Sequence, residues 1–151
     1  MTRTVRTAAL ALLVLMLAIP AAASEEMKAI VNSYLEIHAL LASDKVDGLK
    51  APAQAIATQA TAMGANGAAI LKAAKAIESA GDLKAARAAF TPLSDVVIAG
   101  AKAEGWKDLD DVKPAFCPMV KATWLQKGDK IRNPYYGASM PDCGQFVDRS
   151  K

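Results

Sequence analysis

Cysteine and histidine are scarce in this chain of 151 residues: it has two of the first and one of the second. A single histidine cannot supply the Glu-x-x-His pairs of a di-iron bundle, and no Cys-x-x-Cys-His string is present for haem attachment, so the familiar metallobundles are excluded. A Cys-x-x-Cys redox motif, a phosphate-binding glycine loop and a Ser/His/Asp arrangement are missing too, which leaves hydrolytic and nucleotide chemistry without parts. The chain does not read as an enzyme. Aromatic residues make up only 5% of it, and charge of one sign is also lacking, with 18 Lys+Arg against 15 Asp+Glu. Without a basic run there is no electrostatic footprint for nucleic acid or anionic lipid.

Long apolar runs are absent apart from the start of the chain. There Arg3 and Arg6 precede 12 uninterrupted apolar residues, Ala8 to Ile19, followed by Pro20 and Ala21-Ala22-Ala23. Twelve falls well short of the roughly 20 residues of a spanning helix. A positive start, a short apolar core and an Ala-x-Ala site are the marks of a secretory signal peptide over residues 1–23, with Ser24 first in the mature chain. The expected location is therefore the periplasm, without membrane insertion after cleavage. Removing Arg3 and Arg6 takes the charged side chains to 16 positive and 15 negative, a net charge of +1. The apparent basicity belongs mostly to the leader.

What is present divides near Gly105. Residues 24–105 hold 23 alanines and two aromatics, Tyr34 and Phe90, whereas residues 106–151 hold six of the eight aromatics, four of the seven prolines and both cysteines. In the first part Met27, Ile30, Val31, Tyr34, Leu35 and Leu41 keep the three-and-four spacing of a buried helical stripe, on which His38 also stands. Ser24 is the expected cap of this helix. A second pattern runs from about Lys45 to Met63, with Asp44 as its cap, Gly64 as its stop and a kink or break at Pro52. A third covers about Ala68 to Ser79. The fourth runs from Leu83 to Gly105 with Asp82 as cap and a kink at Pro92. Four helices with short connections predict an all-α fold, an antiparallel four-helix bundle.

From Trp106 the helical period disappears. Prolines, glycines and an Asn-Pro step mark turns, so residues 106–151 read as an irregular, loop-rich cap of the same domain. Val120 to Leu125 is its one short strand or hairpin arm. The acidic run Asp108 to Asp111 lacks the spacing and glycine of a calcium loop and reads as a solvated turn.

Two cysteines in an exported chain read by default as a disulfide, Cys117 to Cys143. Each also has a methionine close by, in Cys117-Pro118-Met119 and in Met140-Pro141-Asp142-Cys143. Thiolate and thioether are soft donors that select Cu(I) over hard cations, so Cys117, Met119, Met140 and Cys143 form a candidate metal site, with His38 as a further nitrogen. A histidine on an apolar face is more often a packed, hydrogen-bonded residue, and most methionines fill core gaps. On the residues alone, staple and metal site both stay open.

The string Cys117-Pro118-Met119, Trp124-Leu125, Ile131-Arg132-Asn133-Pro134-Tyr135-Tyr136-Gly137, Met140 and Cys143-Gly144 resembles the signature of a bacterial periplasmic domain family of unknown function. Its members occur alone and attached to adaptor subunits of heavy-metal efflux systems. Tyr34-Leu35 through Asp44 also resembles the family's opening helix. The resemblance implies handling of copper or silver at the four sulfur positions, for sequestration or for delivery to an efflux partner, and it tips the choice toward metal. The alternative is a disulfide-stapled, non-catalytic module that docks on another envelope protein.

Overall fold

The computed structural model describes residues 21–150, with side chains from Glu25 onward. The leader reading over residues 1–20 lies outside this range, while Ala21–Ala23 form the first turn of a helix. Four helices, α1 (Ala21–Leu41), α2 (Lys50–Ala62), α3 (Ala68–Glu78) and α4 (Leu83–Ala103), are followed by three strands, β1 (Val112–Cys117), β2 (Ala122–Lys127) and β3 (Gln145–Phe146). Each helix packs on the next, α4 returns to α1, and β2 lies across α4 and α1. One continuous core joins Tyr34, Phe90 and Leu93 of the helices to Ala115, Trp124 and Leu125 of the strands.

The four helices match the expectation; the all-α class does not. The chain is α+β, because residues after Val112 build an antiparallel sheet of order β2-β1-β3. Part of the expected loop cap is thus regular structure, and the hairpin arm covers Ala122–Lys127 rather than Val120–Leu125. Proline in a middle strand normally argues against that strand. Here Pro114 faces Leu125 across β1 and β2, and its carbonyl accepts Val147 N at 3.0 Å on the opposite side. A strand residue's N and C=O point the same way, so the missing N–H of Pro114 falls on the β3 side, just beyond the end of β3, and removes no bond to β2. Leu125 in turn directs its N–H outward, to Tyr34 Oη at 3.2 Å. A side chain of α1 thereby satisfies one amide on the free edge of the sheet.

Local signals hold at some helix ends and fail at others. Asp82 caps α4 by accepting Ala85 N at 2.7 Å, and Gly64 and Gly105 follow α2 and α4 with φ of +59° and +65°. Ser24 is not a cap, since α1 is already under way at Ala21. Asp44 is not one either: α2 begins at Lys50, after Leu49, without a side-chain cap. Pro52 sits in the first turn of α2, where no N–H is required, so the break precedes it. Pro92 is accommodated inside a continuous α4.

Candidate dithiol site

The site is built where β1 ends. Cys117 is the last residue of β1, and a turn through Lys121, with φ of +53°, leads into β2. The short pairing of β3 on β1, with Phe116 opposite Gln145, brings Gly144 and Cys143 alongside Cys117. Gly144 has a φ of +146°, and a Cβ there would lie 2.8 Å from Trp124 Cη2, so only glycine lets this segment lie flat on the tryptophan. The result is two free thiols with Sγ atoms 3.2 Å apart. Disulfide sulfurs stand about 2.05 Å apart; at 3.2 Å the two are in contact without a bond.

The two sulfurs are not equivalent. Cys117 has no accessible surface, whereas Cys143 is half-buried. Burial pushes the Cys117 thiol up, yet the amide of Val120, the Cys143 thiol, the amide of Met119 and the side chain of Asn133 together outweigh it and hold its pKa below the ordinary thiol value. Cys143 moves the other way, first because it donates to Cys117 and then through burial. The shifts fit a contact in which Cys143 donates to Cys117, which makes Cys117 the more acidic thiol of the two.

Asn133 organises the surrounding loop. Its own N–H donates to Pro141 O at 2.8 Å, and its carbonyl accepts Gly137 N at 3.0 Å. Its Oδ1 accepts Tyr135 N at 2.8 Å and Tyr136 N at 3.2 Å. Its Nδ2 donates to Cys143 O at 2.5 Å and also serves the Cys117 sulfur. One fully buried amide thus closes an Asx-type turn and fixes both cysteines. Asn133→Ala is expected to lower folding stability by about 2 kcal/mol, the cost of orphaning buried partners, and to raise the Cys117 pKa. Urea unfolding and thiol alkylation against pH check both; an unchanged alkylation profile would refute the positioning role.

A second anchor ties this loop to the helices. Arg87 of α4 donates through Nε to Pro134 O at 2.8 Å and through Nη2 to Leu41 O at 3.1 Å and Asp44 Oδ1 at 2.5 Å. Asp44 accepts Ala138 N at 2.9 Å through its other oxygen; that amide, and then Arg87, hold its carboxyl below the usual range. Gly137, with φ of +52°, lies against this pair, and a Cβ there would sit 2.1 Å from Asp44 Oδ1. The partly exposed ion pair contributes little energy by itself; its effect is to hold the loop in place. Nothing in the residue pattern singled out Arg87, and Asn133 was legible only as half of an Asn-Pro turn marker and as one position of the family-like string.

Of the five candidate ligands, the fold joins Cys117 and Cys143 directly. Met119 is 64% exposed on the turn after Cys117. Met140 is half-buried, and its carbonyl accepts Cys143 N at 3.3 Å. His38 is 5% exposed and bonds through Nε2 to Arg132 O at 2.8 Å. A carbonyl only accepts, so Nε2 carries the hydrogen and only Nδ1 keeps a lone pair. Among the described residues, no three His, Cys, Asp or Glu side chains gather as metal ligands, so a metal here would rest on thiols and thioethers. The Asp108–Asp111 run lies in an exposed turn apart from buried Leu109, as expected.

No protein-family model, no characterised protein and no solved structure matches the chain.

Proposed function

We propose that the protein is a soft-metal-binding domain of the cell envelope that takes Cu(I) at Cys117 and Cys143, for sequestration or for delivery to a heavy-metal efflux partner. The observation that carries this reading is the asymmetric dithiol, with sulfurs 3.2 Å apart and amide donors around one of them. A sulfur locked in an inert disulfide has no use for N–H donors, whereas a thiolate ligand does. Metal would displace the thiol protons, as coordination by thiols generally requires. Met119 and Met140, two and three residues from the cysteines, supply the thioethers of a soft donor set. The envelope location rests on the leader-like residues 1–23. Among the described residues no helix is long and apolar enough to cross a membrane. The likeness of the Cys117-to-Gly144 string to efflux-associated domains adds support.

Reduced protein titrated anaerobically with Cu(I) against a chromophoric chelator is expected to bind about one equivalent. Cys117→Ser/Cys143→Ser loses this binding. Met119→Ala/Met140→Ala binds at least about tenfold more weakly, the scale on which supporting groups tune metal affinity. Absence of saturable binding by the reduced protein refutes the proposal.

The same sulfur contact favours one other reading, a stapled docking module, whose surface would include the exposed Met119, Val120 and Phe146. Mass spectrometry of protein taken from the envelope separates the two: a complete Cys117–Cys143 bridge, indifferent to copper, supports the staple.

A further inference from the structure

A cavity of about 700 Å³ opens between the start of α1, the end of α2, the start of α3 and the end of α4. That lies within the roughly 300–1,000 Å³ typical of small-molecule sites. None of the dithiol residues lines it. Its floor is Met27 and Ile70, both buried, and Met63 stands in its wall. Gly100 shapes the floor: a Cβ there would come within 2.3 Å of Met27 Cε, so a larger residue would displace the end of the methionine. Alanines make up much of the remaining lining, leaving the space unfilled by longer side chains.

The charged groups in this lining are both carboxylates, Glu26 and Glu104. Each is half-buried, and neither forms an ion pair among the described residues. A carboxylate beside an apolar cavity loses part of its hydration without gaining a partner, and a cation entering with an apolar body would supply one. An anionic amphiphile would instead meet two like charges, and a neutral one would leave both acids unpaired. The two thioethers add polarizable surface that adapts to varied shapes. We infer that this end of the bundle binds an amphipathic cation, a ligand with an apolar chain or ring system carrying one amine or quaternary ammonium group. The inference is independent of copper binding.

Calorimetry of the full protein with octyltrimethylammonium, octyl sulfate and octanol, each below its aggregation or solubility limit, tests it. The cation is expected to bind at a single site at least tenfold more tightly than the sulfate. Glu26→Gln/Glu104→Gln should cost the cation most of that advantage while leaving octanol unchanged. Ala69→Phe and Ala99→Phe place rings in the cavity from exposed helix positions; either should abolish binding while circular dichroism and Cu(I) titration stay as in the parent. No saturable cation binding, equal affinity for cation and sulfate, or binding that survives both phenylalanine substitutions would overturn the inference.

Discussion

Trp124→Ala is expected to lower folding stability by about 3–5 kcal/mol, the range for deleting a large buried aromatic. Trp124 is fully buried, and its ring meets Tyr135 edge-on at 6.1 Å between centroids. Tyr135 in turn packs on Phe90 at 5.9 Å, and Phe90 stacks on Tyr34 at 4.9 Å. This row of rings runs from α1 through α4 into the C-terminal segment, so removing the tryptophan opens a cavity where sheet and helices share a core. It also strips a donor from Gln126 Oε1, which Trp124 Nε1 bonds at 3.0 Å and which accepts Arg132 N at the same distance. Small domains hold about 5–15 kcal/mol in all, so the loss is a large share. Urea unfolding monitored by circular dichroism reads it. The Gly144 segment loses its support in the same variant, and both thiols should alkylate faster in the folded protein. A loss below about 1.5 kcal/mol would show that the helices hold together without the sheet.

Acidification is expected to remove about 3 kcal/mol of stability through His38 alone. Burial is the main cause that lowers its pKa from 6.5 to about 4; the bond to Arg132 O opposes this, and the Arg132 charge adds to it. As pH falls, the unfolded chain therefore takes up this proton before the folded one does. The stability contribution is complete above about pH 6.5 and is lost progressively down to about pH 4. His38→Gln keeps a donor for Arg132 O and removes the titration. Its unfolding free energy should vary less between pH 7 and pH 4.5 than that of the parent. Identical pH dependence in the two proteins would contradict this account. The same neutral, donating ring explains why His38 behaves as a packed residue that fastens Arg132 to α1.

The helical half was legible because its signals are local. Of the predicted stripe, Met27, Ile30, Val31, Tyr34 and Leu41 are buried and Leu35 is half-buried, and capping by Asp82 depends on residues three positions away. Asp44 shows where local logic misleads. It has the chemistry of a helix cap, but Arg87 and Ala138, 43 and 94 positions away, claim both of its oxygens. β1 was unreadable for a related reason. Its alternation of burial breaks where Pro114 and Ala115 are both buried, and Pro114 argues against a strand until the partner's register is known.

The sequence by itself determined the four helices, several of their ends and the pairing of each cysteine with a nearby methionine, all of which depend on neighbours within a few residues. Only the tertiary structure decided that the C-terminal segment carries a sheet, that Asn133 and Arg87 hold its loops, and that Cys117 and Cys143 differ in acidity. Those outcomes rest on hydrogen bonds and burial between residues far apart in the chain. A thiol's pKa is set by what surrounds the sulfur, and here the surroundings come from two loops that meet only after folding.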